Sequence, residues 1–225
     1  MKKLFFVLMT ALAIGTQISS WVSMGSEHVV PGLFLYHDSS SEMFQQLDLI
    51  GIFCFFAILL FGYFFISCFM FGITAQYRTM ILQRYPSKTR YLLVQLRKGF
   101  VSVALLIGIL VALFLLFCGI KGLDLSQLPS KDIVFLLLES LNLFLFFAVC
   151  VSCNLILTIK KGEISSMIII LIGTCILLLL DITLPFLSIL TYGDTSSQCL
   201  GVVIQLVALA STISAVFVSL KKSDV

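Results

Sequence analysis

Long apolar runs separated by short polar segments make up most of the chain. Six runs approach or exceed the ~20 apolar residues that a helix needs to cross a bilayer. The pattern therefore predicts an all-α polytopic membrane protein that forms one integral-membrane domain over residues 1–225. The predicted spans are residues 4–21, 49–74, 99–120, 133–159, 165–191 and 199–220.

The first run has two interpretations. It follows the basic start Met1-Lys2-Lys3 and contains small residues near Ala13 and Gly15, which are also features of a cleaved signal peptide. Trp21 at its far end is typical of an interfacial anchor and favours retention as a span. Cleavage of residues 1–20 would leave five spans.

Composition supports the membrane class. Hydrophobic residues make up 60% of the chain and charged residues 11%, whereas a soluble domain carries about 25% charged residues. Most of the seven cysteines fall inside predicted spans, which argues against a disulfide scaffold. No nucleophile, base and orienting group can be assembled from the sequence, so we expect neither an enzyme nor a cofactor.

The distribution of basic residues predicts the orientation. Of the 14 Lys and Arg residues, only Lys121 and Lys131 lie on the side opposite the N-terminus. By the positive-inside rule both termini are cytoplasmic, in a plasma or secretory-pathway membrane, and the acidic loop 22–48 is on the outer side. We interpret the basic segment 75–98 as a loop attracted to anionic lipid rather than to nucleic acid.

The fourth predicted span, from Asp132 to Lys161, carries an ionisable residue, Glu139. A charged side chain inside hydrocarbon costs about 2.5–3.5 kcal/mol on insertion scales, so it is expected to turn inward and find a partner. Within about 80° of one another at 100° per residue lie Glu139, Asn142, Phe146, Cys150 and Cys153. We therefore expect the rest of the chain to be organised around this span.

The last two spans carry polar stripes of their own. In the fifth, one face holds Thr174, Asp181, Pro185 and Ser188; in the sixth, one face holds Gln198, Gly201, Gln205 and Thr212. Because Pro185 donates no hydrogen bond, it frees the backbone carbonyl of Asp181. The predicted intramembrane polar site is Glu139, Asn142, Asp181 and Gln205, all in the outer half of the bilayer.

Two functions fit such a site. The first is an oligomeric channel or transporter with its polar path through spans four to six. The second is structural, because two carboxyl groups can share a proton or bond the nearby amides and so hold three helices in register. Gly108 and Ala112, at small-xxx-small spacing in span three, also permit a close helix approach.

Three further patterns involve the cysteines of span four, the two histidines and the C-terminus. Cys150 and Cys153 form a Cys-x-x-Cys within a span, where packing or palmitoylation explains them better than redox chemistry. His28 and His37, nine residues apart in a loop, specify no metal site. The C-terminal Ser223-Asp224-Val225 matches a PDZ ligand, in which Ser223 and Val225 are the recognised residues.

Trp21 and the loop motif Gly32-Leu33-Phe34 together resemble the signature of the claudin and peripheral-myelin-protein-like membrane proteins. The resemblance implies a membrane organiser or accessory subunit that acts through its outer loop and its C-terminal tail. In claudins the motif continues with a Cys pair, which this loop lacks, and that family has four spans rather than six. The expected partners are the bilayer, a second copy or another membrane protein, and a PDZ-domain protein.

Overall fold

The structure is a computed structural model that describes residues 8–9, 11–16, 49–70, 88–120, 130–183 and 195–223. In this part of the chain every residue except Gly162 is helical, which confirms the predicted all-α class there. The long helices are α1 (Leu49–Met70), α2 (Lys88–Ile120), α3 (Ser130–Lys161), α4 (Glu163–Thr183) and α5 (Thr195–Ser223).

Three of these helices are long and apolar enough to cross a membrane. The spanning segments are Arg90–Ile120 in α2, Leu136–Thr158 in α3 and Cys199–Val218 in α5. Two shorter apolar helical segments are Phe56–Ser67 and Ile164–Leu177. The structure thus supports a membrane-embedded helical protein, and the count of six spans stays a prediction.

Helix α2 begins eleven residues earlier than the predicted span, because residues 88–98 are helical rather than part of a loop. Leu92, Leu96 and Val103 are buried at helical spacing, whereas Arg97 and Lys98 are exposed. The charged face lowers the mean hydropathy of this stretch and hides its amphipathic pattern. At 1.5 Å per residue α2 is about 50 Å long, so it extends beyond a hydrocarbon core of about 30 Å.

Helix α5 is also longer than predicted, since it includes residues 195–198 and 221–223, which were expected to be a polar link and a tail. The residues Thr195-Ser196-Ser197 at its start are types that favour the first positions of a helix. Its last turn contains Lys221 and Lys222, where positive charge complements the helix dipole.

Helix α3 is the centre of the bundle. It contacts each of the other four helices, and its contact with α5 is the most extensive. In its spanning window 67% of the residues are buried, against 28% in α2 and 17% in α5. The expectation that the chain is organised around this helix therefore agrees with the packing of the described residues.

The helices pack tightly against one another at Gly62 of α1. A Cβ atom at Gly62 would lie 2.7 Å from Cζ of Phe147 in α3 and 3.0 Å from Cδ2 of Leu106 in α2. The small-residue spacing of Gly108 and Ala112, which permits a close approach, is not used among the described residues, because both are exposed and nothing there lies within 4 Å of a Cβ at Gly108. Small-residue spacing marks a smooth helix face but does not determine which way that face points.

The return between α3 and α4 is tight, with Gly162 as the one residue between the two helices. Gly162 has φ +85°, a conformation that side chains with a Cβ rarely adopt. Its amide donates a 3.1 Å hydrogen bond to the carbonyl of Thr158, and its own carbonyl accepts one of 3.1 Å from the amide of Ser166. The two helices are therefore joined as an antiparallel hairpin with their polar faces in contact.

Candidate functional site: two buried polar clusters on the central helix

The outer cluster is built on α3 from Glu139 and Asn142. The two residues are three positions apart, so they lie on one face of the helix. Glu139 is 5% exposed and Asn142 is 3% exposed. Both side chains take part in polar interactions, so neither is isolated in the apolar core. The inward position expected for an ionisable group in a span is the one observed for Glu139.

Gln205 is a buried polar residue on α5, the helix that packs most extensively on α3. It is 4% exposed on a helix that is otherwise mostly exposed. Gly201, one turn earlier, is also buried, and Thr212 is half-buried. The predicted polar stripe of this helix is therefore its inward face over residues 201–212, while the side chain of Gln198 lies outside the described part.

The contribution predicted from α4 is described only in part. Thr174 is half-buried; its hydroxyl donates a 2.9 Å hydrogen bond to the carbonyl of Ile170 and lies close to the thiol of Cys150 on α3. Asp181 is in the last turn of α4, but its side chain lies outside the description, as do Pro185 and Ser188. The role of Asp181 in the site stays a prediction.

An inner cluster, near the α3–α4 return, was missed by the sequence reasoning. Its five buried members are Tyr63 and Ser67 on α1, Asn154 and Thr158 on α3, and Ser166 on α4. The hydroxyl oxygens of Thr158 and Ser166 are 2.9 Å apart, and the Thr158 hydroxyl donates a 3.3 Å bond to Oδ1 of Asn154. Three helices therefore meet here through polar groups.

The Tyr63 hydroxyl in the inner cluster is buried without a well-aligned partner among the described residues. It lies near the side chains of Ser67 and Asn154, but among the described residues it forms no hydrogen bond of acceptable geometry. The Ser67 hydroxyl is in the same situation. A signal for both residues exists in the sequence, because they are four positions apart and share one face of α1.

An aromatic layer separates the two clusters along α3. The rings of Phe146 and Phe147 are 5.5 Å apart between centroids in an edge-to-face arrangement, and Phe147 is completely buried. Asn142 and Asn154 are twelve residues apart, or about 18 Å along the helix axis. Cys150, buried between them, is the polarizable group nearest the middle of this distance.

The other sequence patterns are placed as follows. The cysteines at 118, 150, 153, 175 and 199 are free, and the described residues contain no group of three or more potential metal ligands. His28, His37, Trp21 and Gly32-Leu33-Phe34 lie outside the described residues. Ser223 is the last residue of α5, whereas a PDZ groove takes an extended strand, so binding there would require the last turn to unwind.

Comparisons with known proteins add no assignment to this geometry. No family model, curated protein or solved structure matches the chain. The class that the described residues define is an all-helical protein with three helices able to span a membrane and a polar, largely buried central helix.

Proposed function

We propose that this chain is a six-span membrane protein with cytoplasmic termini that acts as a small conduit, an oligomeric channel or transporter. Its polar path runs through α3, α4 and α5. The observation that carries the proposal is Glu139, a carboxyl group 5% exposed within a candidate span, on the face of α3 that also holds Asn142. Ionisable residues inside spans are rare and costly, and ion pathways and proton relays are among the functions that they mark.

The packing favours protons as the transported species. Phe146 and Phe147 fill the centre of α3 between the two polar clusters, so the interior is close-packed rather than wide. A hydrated ion needs an open water-filled path, whereas a proton passes between carboxyl, hydroxyl and amide groups through short hydrogen-bonded steps. The outer cluster with Glu139 and the inner cluster with Tyr63 and Thr158 supply such groups at two depths.

The six-span arrangement is supported by the N-terminal segment, residues 11–16. Ala13 and Ile14 are buried in the common hydrophobic core. A Cβ at Gly15 would lie 3.1 Å from the ring of Phe117 in α2, so the segment packs directly on that helix. Such packing suits a retained first span and disfavours a cleaved signal peptide.

The alternative is a membrane organiser or accessory subunit in which buried polar residues only fix helix register. The specific observation in its favour is the hydrogen-bonded group of Asn154, Thr158 and Ser166, which joins α3 to α4 beside a tight return. Polar pairs of this kind stabilise membrane helix bundles by about 0.6 kcal/mol each on average. Both functions predict buried polar groups, so transport must be measured directly.

The test is proton flux into liposomes that contain purified protein, followed with an internal pH-sensitive dye. The conduit proposal expects flux in the native protein and loss of most of it in Glu139→Gln and Asp181→Asn, because an amide keeps the size and polarity of the acid but carries no exchangeable acidic proton. Ser211→Ala is the matched control, since Ser211 is exposed on α5 and its hydroxyl bonds only to the carbonyl of Val207.

Two results would reject the conduit. One is the absence of flux from folded native protein at every imposed pH gradient. The other is unchanged flux in Glu139→Gln and Asp181→Asn, combined with lower thermal stability when Asp181→Leu removes the polar partner. The second result would assign the polar residues to helix packing and favour the organiser.

A further inference from the structure

An apolar groove lies between α2 and α5 and belongs to neither polar cluster. Its volume is about 520 Å³, within the range of about 300–1,000 Å³ that is typical of ligand sites. Phe100, Val101 and Ala104 form one wall, and Ile213 and Phe217 form the other. Val101 is 59% exposed and Phe217 is 38% exposed, so the groove opens to the surroundings of the bundle.

One charged residue, Arg97, lines the groove, with Leu93 and Leu96 on its N-terminal side and Phe100 on the other. The distance from Arg97 to Ala104 is seven residues, so the groove extends about 10 Å along the α2 axis from the charge into the apolar part of the helix. Lys98, the next residue, is exposed and lies outside the lining.

The groove therefore combines an apolar cleft with a single cationic residue. A soluble anion would use Arg97 alone, and an uncharged hydrocarbon would use the cleft alone. A phospholipid with a net negative headgroup uses both, since its phosphate pairs with Arg97 while an acyl chain covers Phe100, Val101 and Phe217. Basic pockets between spanning helices are known to hold anionic headgroups in this way.

We propose that the α2–α5 groove binds one anionic phospholipid, with an acyl chain in the cleft and the phosphate at Arg97. The inference is independent of proton transport and needs only the membrane placement of the two helices. Since α2 and α5 contact each other sparsely among the described residues, the lipid also fills the space between them.

The test measures lipid retained by the full-length protein in native mass spectrometry, with dioleoyl phosphatidylglycerol and dioleoyl phosphatidylcholine added at equal concentrations. We expect one phosphatidylglycerol bound in preference to phosphatidylcholine, and Arg97→Gln should lower this preference by roughly fivefold, the effect of one Lys or Arg near anionic lipid. Lys98→Gln is the matched control, because it removes the same charge from a neighbouring exposed position outside the lining.

A second pair of variants tests the cleft. Ala104→Phe fills the groove and should abolish retention of both lipids, whereas Ala112→Phe adds the same bulk to an exposed position on α2 outside the lining and should leave retention unchanged. Equal losses in Arg97→Gln and Lys98→Gln would show general surface attraction and overturn the site. A native dimer that Ala104→Phe alone dissociates would assign the groove to a second copy of the chain and equally overturn it.

Discussion

Replacement of Gly62 by alanine tests the packing at the centre of the bundle. The new methyl group would meet Cζ of Phe147 at 2.7 Å, whereas ordinary contact begins at 3.4 Å, so the ring must move by at least 0.7 Å. Phe147 is completely buried, and Leu106, the second neighbour at 3.0 Å, is 2% exposed. Neither side chain has open space to enter.

The expected magnitude is the sum of two opposing effects. Overpacking a well-packed core costs about 1–3 kcal/mol. Alanine is favoured over glycine inside a helix by about 1 kcal/mol, which offsets part of this cost. Gly62→Ala should therefore lower the free energy of unfolding by between zero and about 2 kcal/mol. Gly108→Ala, with nothing described within 4 Å, should raise it by about 1 kcal/mol.

The informative quantity is the difference between the two variants, about 1–3 kcal/mol in favour of Gly108→Ala. Reversible denaturation of the purified proteins in mixed micelles, followed by helical circular dichroism, measures it. Both variants add one methyl group to one helix, so changes in expression or detergent binding affect them alike.

A smaller side chain at position 147 tests whether the cost of Gly62→Ala comes from the contact with Phe147. Phe147→Leu shortens the residue that the new methyl group meets, so Gly62→Ala should cost less in that background than in the native protein, a coupling expected of residues in contact. The reasoning is refuted if Gly62→Ala is as stable as Gly108→Ala, or if the Phe147→Leu background leaves the cost of Gly62→Ala unchanged.

The remaining predictions concern the inner cluster. Thr158→Val keeps the shape but removes the bonds to Asn154 and Ser166, so stability should fall by about 1 kcal/mol, while Ser214→Ala, at an exposed hydroxyl, should change it by less than about 0.5 kcal/mol. Tyr63→Phe removes a buried hydroxyl that forms no well-aligned hydrogen bond, so unfolding should show equal or higher stability; a loss above about 1 kcal/mol would mean that the hydroxyl is bonded in the protein.

The central position of α3 could be predicted from the sequence for a physical reason. A carboxyl group and an amide on one face of a spanning helix must avoid lipid, and a helix that carries them is driven to the interior. The same argument placed Gln205 on the inward face of α5. Both inferences depend on the large free-energy cost of exposing a polar group to hydrocarbon. Because this cost outweighs the details of packing, the sequence alone is enough to predict its effect.

The inner cluster and the start of α2 were missed because their signals are small. Hydroxyl groups such as those of Ser67, Thr158 and Ser166 can bond the backbone of their own helix, so a sequence shows no need for them to turn inward. At the start of α2, the charges of Arg97 and Lys98 conceal the buried Leu92 and Leu96. The direction of the Gly108 face depends on which neighbours pack beside it, and that information is not local.

The conduit and the organiser make different demands on the middle of α3, where an aromatic layer lies between the two polar clusters. A bundle that needs polar residues only for register gains little from placing them at two depths about 18 Å apart with an aromatic layer between. A proton path needs both groups, but it also needs a link past Phe146 and Phe147. Near that layer are Cys150, four residues after Phe146, and Thr174 on α4, whose hydroxyl lies close to the Cys150 thiol. Neither is strongly acidic, so under the conduit proposal transfer through this layer requires a water molecule or a movement of α4 against α3. The proposal therefore places the limiting step at the α3–α4 contact and assigns selection of the entering species to Glu139.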